Sequence, residues 1–167
     1  LNFFFIFSHG IDGFAHSAEV LVGNSIGKKN KSFLDRSIYS TGKLSAYLMI
    51  LYIVFFILFS EQIIYFITDI EVVNSLSNLY MFYMYLIVVF ATIAFWLDGV
   101  FIGAIKVKLL RNVMILAGTI FFILETILLG GNNEGLWLSF AVFFAMRSLF
   151  LSILLYKYMK ENKFLVF

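Results

Sequence analysis

Five apolar stretches follow one another along the chain, separated by short polar segments. They cover approximately residues 1–26, 44–59, 75–105, 111–129 and 135–156. A helix needs about 20 predominantly apolar residues to cross the hydrocarbon layer of a membrane. The third stretch, about 45 Å long as a helix, is expected to tilt, bend or protrude. The pattern predicts an all-α, polytopic transmembrane bundle of about five spans.

The basic residues fall on alternate connections, and this predicts the orientation of the bundle. The intervening connections, residues 60–74 and 130–134, carry acidic residues and no Lys or Arg. Because cytoplasmic loops of membrane proteins are enriched in Lys and Arg, we expect the amino end outside and the carboxyl end in the cytoplasm. The three basic groups are Lys28, Lys29, Lys31, Arg36 and Lys43, then Lys106, Lys108 and Arg111, then Lys157, Lys160 and Lys163.

The composition agrees with a membrane protein and excludes several other classes. The chain is 62% hydrophobic and 13% charged, whereas soluble domains are about half apolar and a quarter charged. It has no cysteine, so neither disulfides nor thiolate metal sites are available. A net charge of +2 does not indicate nucleic acid. The expected partner is the lipid bilayer. Because the chain begins at Leu1, without a preceding basic segment, we expect that its beginning is missing.

Asp98 is the most informative residue of the third stretch. An ionised carboxylate in an apolar helix costs several kcal/mol unless it is paired or faces water. Lys106 follows eight residues later and marks the return to the aqueous surface. Asp98 therefore lies about 12 Å inside that boundary, at about 1.5 Å per residue. The position favours a carboxylate that faces a cavity.

Two other charged residues lie at a similar depth. Arg147 is about 15 Å from the boundary marked by Lys157, and Glu19 is about 13 Å from that marked by Lys28. Asp98, Glu19 and Arg147 are therefore expected in one layer of the bundle. One interpretation is a structural ion pair between helices. The other is a coupling site, at which a carboxylate binds H⁺ or Na⁺ and changes its partner during transport.

The first stretch carries a row of polar residues. His9, Asp12, His16 and Glu19 are spaced by three or four residues, so they share one face of a helix. This face is interpreted as lining the bundle interior or a wet cavity, as a proton relay or a polar substrate surface. Helix–helix hydrogen bonding and a surface amphipathic helix are the alternatives. A metalloprotease would require the pattern His-Glu-x-x-His, which is absent, so no metal site is expected.

Local features predict helix packing and capping. Gly23 and Gly27 form one G-x-x-x-G pair, and Gly99 and Gly103 form another beside Asp98. Such pairs allow close helix contact in membranes. Ser32 is a candidate N-cap for the second helix. The chain has no phosphate-binding loop and no nucleophile elbow, so an enzyme is not expected.

Three segments of the chain resemble parts of a known family. Residues 12–23, with the sequence DGFAHSAEVLVG, and the following Ile26-Gly27 are similar to the eighth helix of the multidrug and toxic compound extrusion (MATE) family, in its DinF-like branch. Residues 97–104, LDGVFIGA, with Arg111-Asn112, resemble the tenth helix and the loop after it. Residues 135–138, GLWL, together with Arg147, resemble the twelfth helix.

The resemblance implies that the chain is helices 8–12 of a twelve-helix transporter, the bulk of its C-terminal lobe. The N-terminal lobe and the seventh helix would be the missing partners. Members export organic cations and other toxic compounds across the cytoplasmic membrane in exchange for H⁺ or Na⁺, without another cofactor. In some members a carboxylate at the position of Asp98 contributes to the cation site.

Two alternatives to a multidrug antiporter remain open from the sequence. The first is a membrane protein without transport activity, either a remnant or one half of a split gene. The second is a flippase for lipid-linked precursors, from the same superfamily, which would favour more basic residues in the cavity than Arg147 alone.

Overall fold

The computed structural model describes residues 2–129 and 131–164. All regular structure in these residues is helical, which confirms the all-α prediction. Very short connections separate successive helices. The helices are α1 (Asn2–Gly27), α2 (Lys31–Ile67), α3 (Glu71–Gly103), α4 (Val107–Ile123), which continues as a π-helical turn (Leu124–Leu128), and α5 (Asn133–Lys160).

Four of the helices are long and apolar enough to cross a membrane. They are α2, α3, α4 with its π-helical turn, and α5. The fifth, α1, has 26 residues but carries the polar row from His9 to Glu19 and is not among the four. We conclude that the chain is a multi-pass membrane protein.

The clearest differences from the predicted helix ends concern α2. Asn30, rather than Ser32, caps α2, because its side chain accepts a hydrogen bond of 3.0 Å from the backbone N–H of Phe33. The outer connection expected at residues 60–74 is also much shorter, since α2 continues to Ile67 and α3 begins at Glu71. The apolar residues 63–67 extend α2 because they continue its helical pattern without a glycine or proline to end it.

α3 is the central helix of the bundle. It contacts each of the other four helices, whereas α4 packs mainly on α5. Two clusters of buried side chains hold this arrangement together. One surrounds Leu97 and Phe101, near the basic connections, and the other surrounds Ile87 and Phe144, towards the opposite end. Along α3 and α5 the two clusters meet close to Asp98, where the apolar packing is interrupted.

Candidate functional site

Asp98 and Arg147 form an ion pair between α3 and α5. Nη2 of Arg147 donates a hydrogen bond to Oδ2 of Asp98. The two side chains are only 10% exposed for Arg147 and 14% for Asp98. Removing one partner of such a pair leaves an unpaired buried charge, which is strongly destabilising. The pair therefore connects the central helix to α5.

This pair retains unused hydrogen-bonding capacity. Within the described residues, Oδ1 of Asp98 and Nε of Arg147 are buried and have no hydrogen-bond partner. The guanidinium group of Arg147 lies over the ring of Phe95, 5.7 Å from its centroid. Because buried polar atoms are usually satisfied, the one unsatisfied atom on each residue is an unusual feature of this pair.

A groove between α1 and α3 gives access to Asp98. Its volume is about 240 Å³. Three carboxylates line the groove. Asp98 comes from α3, and Asp12 and Glu19 come from the polar row of α1. The lining residues are Asp12, Ala15, His16, Glu19, Phe95, Asp98, Gly99 and Ile102. Asp98 thus lies with one side against Arg147 and the other towards a polar groove.

The four polar residues of α1 do not share one environment. Asp12, His16 and Glu19 line the groove. Nδ1 of His16 lies 3.4 Å from Oε2 of Glu19, and their side chains are 79% and 37% exposed. His9 is one turn further towards the amino end, outside the groove lining, and its Nδ1 lies 2.7 Å from the carbonyl oxygen of Phe5. Three of the four residues are therefore brought to Asp98.

Glycines determine how closely α1 approaches α3. A Cβ atom at Gly99 would overlap the carbonyl group of Ala15, and one at Gly103 would overlap that of Glu19. Gly23 faces the backbone of Gly103 from the other helix. Gly27 is different: a Cβ there would have no neighbour within 4 Å among the described residues. The contact expected at Gly27 is absent there because α1 ends at this residue.

Phe95 is the site residue that sequence reasoning missed. It contacts the guanidinium group of Arg147 and lines the groove. The signal was its position three residues before Asp98, which places both on one face of α3. No three His, Asp or Glu side chains in the part of the chain described by the structure lie close enough together to hold a metal ion.

Comparisons with known proteins give a consistent result. The MatE family model matches residues 1–129, which include α1 to α4 and the π-helical turn. The chain is also 30% identical over 145 residues to the DNA damage-inducible protein F of Escherichia coli (strain K12). The alignment covers 87% of this chain and 32% of that protein, so the chain spans about a third of its relative. No solved structure matches the chain.

Proposed function

Because the chain belongs to the MATE family of membrane transporters, we propose that it forms most of the C-terminal lobe of a multidrug antiporter. The family match confirms the resemblance identified in residues 12–23 and 97–104. The complete transporter exports organic and other cationic compounds in exchange for H⁺ or Na⁺. The five helices correspond to helices 8–12, and the N-terminal lobe with the seventh helix completes the transport path.

The observation that carries this proposal is the position of Asp98. Its carboxylate is largely buried, is paired with Arg147, and lines a groove with Asp12, His16 and Glu19. Charged groups inside a membrane bundle are costly and typically belong to ion or substrate pathways. A carboxylate between an arginine and a polar groove exchanges one positive partner for another when a cation enters. Such an exchange couples cation entry to a change in helix contacts.

The polar face of α1 supplies the other half of the site. Asp12 and His16 are exposed towards the groove, and Glu19 is half-buried. In the complete transporter this face lines the aqueous cavity between the two lobes. The negative charges of Asp12 and Glu19 favour cationic substrates there, by electrostatic attraction in a partly desolvated cleft.

We place the transporter in the bacterial cytoplasmic membrane, with the carboxyl end of this chain in the cytoplasm. The support is the distribution of basic residues. Eleven of the twelve Lys and Arg side chains lie in the connections from α1 to α2 and from α3 to α4, in the amino-terminal parts of α2 and α4, or at the end of α5 and just after it. The twelfth is Arg147, which is paired inside the bundle.

The proposal is tested by replacing Asp98 in the full-length protein. Asp98→Asn keeps the size of the side chain but removes its charge, so gradient-driven efflux is expected to fall to the background of cells without the transporter. The measurement is ethidium efflux from energised cells, with the amount of protein in the membrane determined in parallel. Glu61→Gln is the matched control, because Glu61 is an exposed carboxylate on α2, outside the groove, and its efflux is expected to be unchanged.

Normal gradient-driven efflux by the Asp98→Asn protein would rule out the coupling role. A wild-type protein that moves no cationic dye, but transports a lipid-linked precursor in reconstituted vesicles, would replace multidrug antiport by the flippase function.

A further inference from the structure

The Asp98 site already contains a cation, the guanidinium group of Arg147. It occupies Oδ2 of the carboxylate, which leaves Oδ1 as the one oxygen of Asp98 without a partner among the described residues. The ring of Phe95 lies against the guanidinium group and holds it beside Asp98. A second cation at this carboxylate must therefore bind next to a positive charge that is already in place.

A sodium ion is poorly suited to this position. Hard metal cations are held by several oxygen ligands, whereas Asp98 has a single free oxygen. No cluster of three acidic or histidine side chains surrounds it in the described ranges 2–129 and 131–164. Repulsion between two positive charges a few ångströms apart is also strong where little water screens them. Among the described residues, both the ligand set and the local charge therefore act against Na⁺.

A proton meets neither difficulty. It forms a covalent O–H bond with Oδ1 of Asp98 and needs no further ligand. Protonation neutralises the carboxylate, and the ion pair with Arg147 becomes a weaker hydrogen bond between a charged and a neutral group. When the proton leaves to the other side of the membrane, the carboxylate is charged again and the ion pair re-forms. The proton is thus conserved over the cycle.

Protonation of Asp98 also changes which carboxylates attract Arg147. The ionisable groups that line the groove beside Asp98 come from α1 and are Asp12, His16 and Glu19; α2 and α4 contribute none to this lining. Arg147 itself does not line the groove. Once Asp98 is neutral, the carboxylates of Asp12 and Glu19 are the remaining negative charges of the groove, and they attract the guanidinium group.

We infer that Arg147 is a built-in counter-ion that restricts coupling at Asp98 to protons and excludes Na⁺. This inference rests on the proposed antiport function and adds the identity of the coupling ion and the residue that selects it. Arg147 acts through Asp98, so it is a positioning and selectivity residue.

The first experiment measures Na⁺ binding without transport. Purified full-length protein is titrated with NaCl against choline chloride, and the heat of binding is recorded by calorimetry. We expect no Na⁺-specific signal from the wild type or from Arg147→Lys, which keeps the charge. Arg147→Gln removes the charge and keeps a hydrogen-bond donor, so a saturable Na⁺ signal is expected. Combining Arg147→Gln with Asp98→Asn is expected to abolish it.

The second experiment measures transport in vesicles containing the full-length protein. A pH gradient is expected to drive dye movement by the wild type, and a Na⁺ gradient at equal pH is expected to drive none. In Arg147→Gln the Na⁺ gradient becomes effective. A saturable Na⁺ signal in the wild type that Asp98→Asn removes would overturn the inference, whether or not the Arg147→Gln protein folds.

The two experiments separate the inference from the proposed function. If the expected Na⁺-binding pattern appears but no cation gradient drives dye movement by the wild type, antiport is contradicted and the selectivity of the site stands. If a Na⁺ gradient drives wild-type transport through Asp98, antiport stands and the role of Arg147 is wrong.

Discussion

At the scale of single residues, the site depends on side chains that are costly in an apolar bundle and on glycines that have no side chain. The ion pair between Asp98 and Arg147 offsets part of the free-energy cost of burying the two charges. Gly99 follows Asp98 directly and packs against the backbone of Ala15. The carboxylate can lie beside the polar face of α1 only because the neighbouring position in α3 has no Cβ atom.

The substitution Gly99→Ala tests this close approach. A Cβ atom would overlap the carbonyl group of Ala15, and overpacking of this kind costs about 1–3 kcal/mol. We expect a lower free energy of unfolding for the full-length protein in mixed detergent micelles. Gly118→Ala in α4 is the matched control, because a Cβ there has no neighbour within 4 Å among the described residues. Alanine is the better helix former, so the control is expected to gain about 0.5–1 kcal/mol.

Equal stability of the Gly99→Ala and Gly118→Ala proteins would contradict the close contact between α1 and α3. If Gly99→Ala abolishes transport without changing the free energy of unfolding, the substitution acts on the groove and not on the packing of α1 against α3.

At the scale of helices, buried polar groups join α1, α2 and α3. The hydroxyl groups of Ser25 in α1 and Ser37 in α2 lie 3.2 Å apart. Nε1 of Trp96 in α3 donates a hydrogen bond of 3.1 Å to Oγ1 of Thr41 in α2. The indole ring lies against Gly42, where a Cβ atom would come within 2.7 Å of it. These contacts hold α1, α2 and α3 together.

The contact between Trp96 and Thr41 is measurable by a double-mutant cycle. Trp96→Phe removes the donor and Thr41→Val removes the acceptor, so the two substitutions are expected to be non-additive. Hydrogen bonds between helices in membranes contribute about 0.6 kcal/mol on average and about 1.7 kcal/mol at most. The measurement is the free energy of unfolding of the full-length protein in mixed micelles.

The control for this cycle pairs Thr41→Val with Trp137→Phe, since Trp137 stacks on Tyr80 near the other end of α3. These two substitutions are expected to be additive. Additivity of Trp96→Phe with Thr41→Val would show that the hydrogen bond does not stabilise the contact between α2 and α3.

At the scale of the whole molecule, charge distinguishes the two ends of the bundle. Apart from Arg147, the basic residues lie in the connections from α1 to α2 and from α3 to α4, in the amino-terminal parts of α2 and α4, and at the end of α5 or just after it. Phe164, just after α5, packs against Phe101 near the end of α3, so these elements lie at one end. At the opposite end, Asp69 lies between α2 and α3, and Glu134 lies in the first turn of α5. The connections at this end contain no Lys or Arg.

This asymmetry predicts which end reacts with a reagent that cannot cross the membrane. The chain has no cysteine of its own, so Asp69→Cys and Lys160→Cys report on the two ends, provided that cysteines elsewhere in the full-length protein are replaced. In intact cells a charged maleimide is expected to label Asp69→Cys and to leave Lys160→Cys unlabelled. Both are expected to react after the cells are opened, which controls for accessibility.

Labelling of Lys160→Cys in intact cells would reverse the proposed orientation. With the orientation reversed, the basic end of the bundle, from which the depth of Asp98 is counted, would face the outside instead of the cytoplasm.

The sequence by itself determined the class of the protein and most of its helices. Apolar length and the alternation of basic and acidic connections are local properties, so they can be counted along the chain without knowledge of packing. The isolation of Asp98 and Arg147 among apolar residues is equally visible, because the cost of burying a charge is independent of the fold. The ends of α2 were less predictable, since Asn30 and Ser32 are both good caps and apolar residues 63–67 suit an interface as well as a helix.

Only the tertiary structure decided which polar residues meet. Residues at equal depth can face one another or point apart, and the rotation of each helix about its axis depends on packing. The position of Gly99 and Gly103 against α1 turns Asp12, His16 and Glu19 towards Asp98 and leaves His9 outside. The same packing places Phe95 under the guanidinium group of Arg147. The groove and its resident counter-ion follow from contacts between residues distant in sequence, which no local pattern specifies.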